Sequence, residues 1–522
     1  MSENAKEVVL EMRGITKVYE NGFVANKDIH FSVRRGEIHA LCGENGAGKS
    51  TLMKVLFGDE QPDAGQIIYQ GKEIRITGPL HALEYGIGMV HQHFMLVPSL
   101  TVAENMVLGM EPKRRGVFRL REAIRMVQEV SEKYNLPIDP EAKVADLPVG
   151  FKQRVEILKI LLRGVNILIL DEPTAVLTPQ ETAELFTELV HLKEKGYTII
   201  FISHKLNEVK AICDRLTVLR DGRVIGTADV ADLTEQDISR MMVGRDVTLT
   251  IDKTPAVPKQ PALTVQDVSC TDVNGKTVLD HVSFQVRRGE ILGVAGVEGN
   301  GQRELSEIVT GLLQRYEGRV LLGGKEIRGM TIRQIREAHT AHVSEDRMTY
   351  GTVGNATVSE NMVSDRFYKR EYNRHLLLDR KRIASEVDAL IADYGVKCDD
   401  RDALVKTLSG GNIQKVVAAR EFSSEPTVLI ANQPTRGIDV GASEFIRKKL
   451  VQLRDEGTAI LLISADLLEL LEVSDSIIVM CGGQIAAYFP EVHQLSEDML
   501  GEYMLGLKKQ SAEEIGGVVF EK

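Results

Sequence analysis

Cysteine is scarce in this sequence. The chain has 522 residues but only five cysteines, and no two of them form a CxxC pair. Cysteines scattered in this way favour neither a metal site nor a disulfide framework. We therefore predict reduced thiols and a cytosolic protein.

The sequence also lacks a basic excess, a signal peptide and a long apolar run. Its formal net charge is −11, which argues against a nucleic-acid scaffold. Residues 1–14 contain no basic segment followed by an apolar core, so no signal peptide is expected. The longest apolar runs, at 199–202 and 460–463, are far too short to cross a bilayer. They predict buried strands of a parallel sheet, and the chain length predicts two or more domains.

Residues 43–50, GENGAGKS, fit the GxxxxGK(S/T) pattern of a phosphate-binding loop. An apolar strand-like segment precedes the loop and a helix-compatible run follows it, so that backbone N–H groups and a helix N-terminus can face phosphates. Lys49 supplies a charge for the β- and γ-phosphates, and Ser50 offers a hydroxyl ligand for Mg²⁺. The predicted ATP-binding residues here are Gly43, Glu44, Asn45, Gly46, Ala47, Gly48, Lys49, Ser50 and Thr51.

The chain contains a long internal duplication. An offset of 253 residues relates FSVRRGEI at 31–38 to FQVRRGEI at 284–291, and an offset of 261 relates Thr174 to Thr435. Each copy alternates strand-like and helix-like segments, as α/β domains do, and apolar spacing predicts helices over 119–133 and 179–195. Three prolines between the copies indicate a linker. We predict a first domain at 1–246, a linker at 247–262, a second domain at 263–507 and a C-terminal tail at 508–522.

Two further motifs carry chemistry. An apolar strand-like segment ends in Asp171 and Glu172. After a phosphate-binding loop, the first acid can orient Mg²⁺ and the second can position an attacking water. In the second copy, Ser409, Gly410 and Gly411 precede a predicted helix, where free N–H groups attract anions. An isolated LSGGN segment is equally compatible with a glycine turn and a serine N-cap, but its place ahead of the LIANQPT strand favours an anion site.

Together these segments resemble the ATP-binding cassette (ABC) ATPases over nearly the whole chain. The resemblance implies two tandem P-loop NTPase domains of the α/β class, each with a RecA-like core, an antiparallel β subdomain and a helical subdomain. It implies that Tyr19 stacks on adenine and that Asp439 crosses between cassettes. ATP and Mg²⁺ are the implied cofactors. The implied catalytic residues are Glu172, His204, Lys49 and Gln92, and the implied metal ligands are Ser50, Gln92 and Asp171.

The two copies have lost different parts. The second copy lacks the phosphate lysine, the metal hydroxyl, both acids and the histidine, whose places are taken by Gln302, Arg303, Asn432, Gln433 and Ala465. The first copy has LPVGF where the second has LSGGN, and Thr178 stands at the position of Asp439. In the ABC architecture each nucleotide lies between the phosphate-binding loop of one cassette and the signature of the other. The losses therefore predict one intact composite ATP site per chain and one damaged site.

Within the family, ENGAGKSTLMKVLFG and QPTRGIDVGA resemble the tandem ATPases of bacterial sugar and nucleoside importers. The segment GIGMVHQHFMLVPSLTVAEN is most similar to the nucleoside branch. We expect an ATPase that energises nucleoside import from the cytoplasmic face of the cell membrane. The implied partners are two integral-membrane permease subunits and an extracytoplasmic solute-binding protein, with neither nucleic acid nor a second copy of this chain. A simple-sugar importer ATPase is the open alternative, and a soluble twin-cassette ATPase acting on ribosomes or DNA is less favoured.

Overall fold

The apolar strands and amphipathic helices of each copy fold into a unit of their own. The computed structural model describes residues 7–20, 22–92, 94–174, 177–203, 205–244, 251, 253–272, 275–374 and 377–519. The chain divides into the units Met1–Val247 and Thr248–Lys522. Within the described residues, no helix combines the length and the apolar character that a membrane span requires.

The first unit contains twelve described strands and eight described α-helices, with 3₁₀ turns at Val144–Asp146 and Val230–Asp232. The strands are β1 (Val8–Val18), β2 (Val24–Arg34), β3 (Ile38–Gly43), β4 (Ala64–Tyr69), β5 (Lys72–Ile74), β6 (Ile87–Val90), β7 (Lys113–Arg114), β8 (Val117–Phe118), β9 (Ile167–Asp171), β10 (Thr198–Ile202), β11 (Arg215–Arg220) and β12 (Arg223–Asp229). The helices are α1 (Lys49–Phe57), α2 (Pro79–Glu84), α3 (Val102–Met106), α4 (Leu120–Tyr134), α5 (Val149–Leu162), α6 (Pro179–Glu194), α7 (Leu206–Ile212) and α8 (Glu235–Val243).

Strand register places the site residues of the first unit at one sheet edge. An antiparallel sheet has the order β2-β1-β4-β5, and the main sheet has the order β12-β11-β3-β10-β9-β6, with only β12 antiparallel to its neighbour. Ile202 at the end of β10 pairs with Leu41 of β3 and with Asp171 of β9. Because parallel strands end at the same edge, the loops after β3, β9 and β10 lie side by side.

The second unit repeats this arrangement. Its strands are β13 (Pro261–Thr271), β14 (Thr277–Arg287), β15 (Glu290–Gly296), β16 (Glu317–Leu322), β17 (Lys325–Glu326), β18 (Thr340–Val343), β19 (Asn373–Arg374), β20 (Leu377–Leu378), β21 (Val428–Asn432), β22 (Ala459–Ile463), β23 (Ser476–Cys481) and β24 (Gln484–Phe489). Its helices are α9 (Gln302–Val309), α10 (Ile332–Glu337), α11 (Val358–Val363), α12 (Arg380–Tyr394), α13 (Gly410–Phe422), α14 (Val440–Asp455), α15 (Leu467–Val473), α16 (Glu497–Met504) and α17 (Ala512–Val519). The sheets have the orders β14-β13-β16-β17 and β18-β21-β22-β15-β23-β24, which match those of the first unit strand for strand. The predicted α/β fold and duplication are confirmed.

The described part of the proline-rich segment packs against the second unit. Arg454, which is 1% exposed, donates a hydrogen bond from Nη2 to the carbonyl oxygen of Thr254 at 2.9 Å. Lys253 Nζ donates to the carbonyl oxygen of Ser474. After the second unit's last strand, the N–H of Gln510 donates to a carbonyl of β24 at 2.9 Å, and α17 follows. The limits of the linker and of the tail stay predictions.

Both helices that apolar spacing predicted are present. α6 begins at Pro179, and the side chains of Thr178 and Glu181 form a capping box at its N-terminus. α4 buries Ala123 and Val127 on one side, as an amphipathic helix does. The observed bounds differ from the predicted ones by one residue.

We expect a half-buried histidine to make the stability of the second unit depend on pH. His342 lies on β18, where its Nε2 is 3.3 Å from Ser306 Oγ. Burial lowers the pKa of His342 to about 4, against the charge of Glu421 and with the charges of Arg336 and Arg420. The unfolded chain, in which a histidine has a pKa near 6.5, therefore takes up this proton first as the pH falls.

We expect the stability that neutral His342 contributes to be complete above about pH 6.5 and to be lost as the pH falls towards 4. Between pH 7.5 and pH 5 the loss should amount to about 2 kcal/mol. Urea unfolding of the full chain and of the His342→Gln variant at both pH values measures it, and the variant should lose about 2 kcal/mol less. Equal losses for the two proteins would contradict the assignment. The neighbouring Glu421 has a pKa of about 2, so its titration lies below this window.

Candidate functional site

The phosphate-binding loop connects β3 to α1 and requires glycine at two positions. Gly43 has a φ of +152° and Gly48 a φ of +95°. A Cβ atom at Gly43 would lie 2.3 Å from the carbonyl oxygen of Leu219, and one at Gly48 would lie 2.3 Å from that of Ala25. Backbone conformation and close packing both exclude a side chain there. α1 begins directly after Gly48, so its free N–H groups border the loop.

Lys49 is folded into its own loop. Its Nζ donates to the carbonyl oxygens of Gly43 at 2.7 Å and of Glu44 at 2.9 Å. Burial lowers the pKa of Lys49, and the negative charges around it, that of Glu172 foremost, oppose this shift. An ammonium group in this position can transfer its hydrogen bonds to phosphate oxygens without leaving the loop.

Ser50 and Asp171 form a pair of oxygen donors between α1 and the end of β9. Burial and the charge of Glu172 raise the pKa of Asp171 above its usual value, and the hydrogen bond from the side chain of Ser50 opposes this shift. Hydroxyl and carboxylate oxygens are ligands that suit Mg²⁺. Among the described residues, no group of three or more histidine, cysteine, aspartate or glutamate side chains can hold a metal ion. The predicted contribution of Gln92 to a metal site stays a prediction.

Glu172 and Gln92 meet at the ends of two strands. Gln92 Nε2 donates to Glu172 Oε2 at 3.0 Å, and the N–H of Glu172 donates to the carbonyl oxygen of Ile202 at 3.0 Å. Glu172 has a φ of +47°, and Gln433, its counterpart in the second unit, has a φ of +52°. A left-handed conformation at a non-glycine residue is strained, and here it aims the side chain out of the sheet edge. The geometry suits a carboxylate that orients a water molecule.

The structure places Tyr19 near the phosphate-binding loop but does not describe His204. Tyr19 precedes β2, and its hydroxyl lies 3.3 Å from Oγ1 of Thr51 in α1, so its side chain borders the loop. His204 lies outside the described residues, and its role stays a prediction. The segments that follow β9 and β10 are joined by Glu208, whose carboxylate accepts from Thr174 Oγ1 at 2.6 Å and from Ser203 Oγ at 2.9 Å. Sequence reasoning missed Glu208, because nothing near it in the chain marks it.

Sequence reasoning also missed Asn26, which lies under the phosphate-binding loop. Asn26 is fully buried, and its Nδ2 donates to the carbonyl oxygen of Gly48 at 3.1 Å. Its Oδ1 has no hydrogen-bond partner in the described structure. In the second unit the corresponding glycine, Gly301, contacts Leu279, which stands at the position of Asn26. Comparison of the two copies could have found Asn26, because the copy with the intact loop has a polar residue where the other copy has leucine.

We expect the Asn26→Leu variant to be more stable and to bind nucleotide less well. Leucine removes an unpaired buried carbonyl, which should raise stability by about 1 kcal/mol. It also removes the hydrogen bond that fixes Gly48, which should raise the KM for ATP about fivefold. Thermal unfolding and ATPase kinetics measure the two effects. If Asn26 had a purely structural role, the gain in stability would come with an unchanged or lower KM for ATP, and that result would contradict the assignment.

The loop of the second unit is closed by its own side chains. Gln302, at the position of Lys49, donates from Nε2 to the carbonyl oxygen of Val297 at 3.1 Å. Arg303, at the position of Ser50, forms an ion pair with Glu307 at 2.9 Å. This loop therefore offers neither an ammonium group nor a metal-binding hydroxyl.

Gln433 and Arg436 also form polar contacts within the second unit. Gln433 Oε1 accepts a hydrogen bond from the N–H of Ala465 at 3.1 Å. Arg436 forms an ion pair with Glu345 and lies 3.9 Å from Glu298 of the loop. No carboxylate occupies the place that Glu172 has in the first unit, so the chemistry of a water-orienting base is lost there.

The signature of the second unit is intact and braced. Ser409 is the N-cap of α13, and its Oγ accepts from Asn412 Nδ2 at 2.9 Å. A Cβ atom at Gly411 would lie 2.5 Å from Asp439 Oδ2, and one at Gly410 would lie 2.9 Å from Arg347 Nη2. The four residues predicted for this part of the site, Ser409, Gly410, Gly411 and Asp439, therefore lie together. In the first unit Pro148, which has no N–H to donate, takes the N-cap position of α5.

The structure thus contains two groups of predicted site residues, one within each unit. The first holds the phosphate-binding loop with Tyr19, Gln92, Asp171 and Glu172, and the second holds the signature with Asp439. Together they provide the parts of a nucleotide-hydrolysing cassette protein. A family model described as ABC transporter matches residues 26–175 and 279–436. The chain belongs to the ABC transporter family.

Individual relatives match nearly the whole chain. The guanosine import ATP-binding protein NupO of Bacillus subtilis is 45% identical and covers 98% of this chain and 100% of its own length. The nucleoside import ATP-binding protein NupA of Lactococcus lactis is 44% identical and covers 96% and 99%. The glucose import ATP-binding protein TsgD13 of Haloferax volcanii is 43% identical and covers 96% of both chains.

Proposed function

We propose that this chain is the ATP-hydrolysing subunit of a membrane importer for nucleosides. The relatives NupO and NupA carry nucleoside import in their names, and the segment around Gln92 resembles the nucleoside branch. A simple-sugar importer is the second candidate, since a glucose import protein is nearly as similar. The catalytic residues do not separate the two, because an importer selects its substrate with other subunits.

The observation that carries the proposal is the complementary loss of parts in the two cassettes. The first retains its phosphate-binding loop, acids and Gln92 but has Pro148 in its signature. The second retains Ser409 and both signature glycines, but its loop lacks the lysine. Random decay would not be expected to sort the losses in this way. We infer one hydrolytic site per chain, assembled from the first loop and the second signature, and an opposite site that binds nucleotide weakly or not at all.

The proposed roles combine the local geometry with the resemblance to the family. Lys49 and the loop N–H groups would hold the β- and γ-phosphates of ATP, Tyr19 the adenine, and the signature around Ser409 the γ-phosphate from the other side. Mg²⁺, held by Ser50 and Asp171 with Gln92 nearby, would neutralise charge on the phosphates. Glu172 would polarise the attacking water, and His204 would help to place it. Catalysis would rest on positioning and charge stabilisation.

The proposed assembly includes two permease subunits and an extracytoplasmic binding protein, with this chain at the cytoplasmic face of the membrane. No second copy of the chain is required, because one chain supplies both cassettes. Predicted domain limits of 1–246 and 263–507 fit this arrangement and are proposed with it.

The test is reconstitution with candidate permeases and binding proteins in proteoliposomes. We expect nucleosides to stimulate ATP hydrolysis and to accumulate in the lumen, while pentoses and hexoses do neither. Stimulation by a sugar alone would overturn the nucleoside assignment, but the assignment to an importer would still hold. Stimulation by ribosomes or RNA in the absence of a permease would overturn the importer itself.

A further inference from the structure

A basic hairpin extends from the first unit. The first basic hairpin comprises residues 113–125, which form β7, β8 and the start of α4. It carries six Lys or Arg residues and one acid, a formal charge of +5. Val117 at its tip is 67% exposed, and Phe118 and Leu120 are also exposed. A cluster of exposed apolar residues beside several cations is unusual for a surface that faces only water.

Four of the six cations of this hairpin have no acidic partner within the described residues. Lys113 pairs with Glu111, and Arg125 lies 3.6 Å from Glu129. In the described structure, the side chains of Arg114, Arg115, Arg119 and Arg121 are exposed and have no acidic partner. Four positive charges are therefore available to an external anion.

The second unit has a corresponding segment at the same place in its element order. The second basic hairpin comprises the described residues 369–374 and 377–382, which contain β19, β20 and the start of α12, and these carry a formal charge of +4. Leu377 is 75% exposed and Leu378 47% exposed. Arg370, Arg380 and Lys381 are exposed and lack an acidic partner in the part of the chain that the structure describes. The rest of the chain carries −20, since the total is −11.

We propose that both basic hairpins bind the anionic headgroups of a phospholipid surface. Apolar tips that enter the headgroup region, flanked by cations that attract acidic lipids, are the combination that holds a peripheral protein on a bilayer. An acidic protein needs such local patches, because an anionic membrane repels its net charge within about a Debye length of the surface. The inference rests on the proposed function only in placing the chain at a membrane, and it assigns direct lipid contact to the chain itself.

The test uses the full chain without a permease and measures cosedimentation with vesicles. We expect binding to vesicles that contain phosphatidylglycerol, no binding to vesicles of phosphatidylcholine alone, and loss of binding at high salt. Each basic residue near an acidic surface contributes about a fivefold gain in partition. The Arg114→Glu/Arg121→Glu and Arg370→Glu/Lys381→Glu variants should each bind about tenfold or more weakly.

The matched control is Lys72→Glu/Arg75→Glu, which makes the same change in net charge at exposed positions on and beside β5. It should keep the wild-type partition within about twofold. If the control and the hairpin variants lost vesicle binding equally, the effect would come from net charge alone, and the proposal would be overturned. Absence of wild-type binding to acidic vesicles would also overturn it and point to a protein partner. ATPase rates of the same variants, which should be unchanged, separate this failure from a failure of the proposed function.

Discussion

Replacing Glu172 with glutamine should lower ATP turnover by about 10²–10⁴-fold. The amide cannot accept the proton of the attacking water, whereas its oxygen can still accept the hydrogen bond from Gln92 Nε2 that Glu172 Oε2 accepts at 3.0 Å. Geometry should therefore persist while the base is lost. Phosphate release by the full chain measures turnover. Nucleotide binding should remain, because Lys49 and Ser50 are unchanged.

The reverse change in the other cassette is the control. Gln433→Glu restores a carboxylate at the equivalent position and at a similar φ, but Gln302 still stands where Lys49 is needed. We expect no added turnover from this variant, alone or combined with Glu172→Gln. Near-normal hydrolysis in Glu172→Gln would refute the assignment of the base, and recovery in the double variant would show that the second loop is active.

The sequence predicted those parts of the site whose chemistry needs neighbouring residues. A phosphate-binding loop must be contiguous, because its N–H groups converge on one anion, and GENGAGKS therefore shows itself in one segment. The duplication made the second fold predictable from the first. The apolar segment that ends in Asp171 and the run 199–202 predict strands, and the parallel pairing of β9 with β10 and of β10 with β3 brings Asp171 to the same sheet edge as Gly43.

The contacts that the sequence did not predict join distant segments. Asn26 reaches Gly48 across 22 residues, and Arg454 reaches Thr254 across 200. No local pattern marks such a pair, since each residue is ordinary in its own element. The left-handed backbone at Glu172 was also hidden, because glutamate has no preference for it and the surrounding strands impose it. Of these features, the sequence itself offered a clue to one, because leucine stands at position 279 where the first copy has Asn26.

The second large effect should come from placing a carboxylate in the signature. Gly411→Asp should lower ATP turnover by about 10²-fold or more, because its negative charge would face the γ-phosphate that the proposed composite site brings to Ser409. The change also crowds Asp439, whose Oδ2 lies 2.5 Å from the position of a Cβ atom at Gly411. Hydrolysis alone would therefore not separate lost catalysis from lost stability.

The chain supplies a matched substitution that does. Gly150 holds the same place in α5 that Gly411 holds in α13, and a Cβ atom there would lie 2.6 Å from Glu181 Oε1. Gly150→Asp thus adds the same charge beside another carboxylate, and it does so in the equivalent helix of the first unit. If only the second signature serves a hydrolytic site, Gly150→Asp should keep turnover within about threefold while thermal unfolding of both variants changes alike. Equal losses of turnover would mean that both signatures are used, and the single composite site would have to be abandoned.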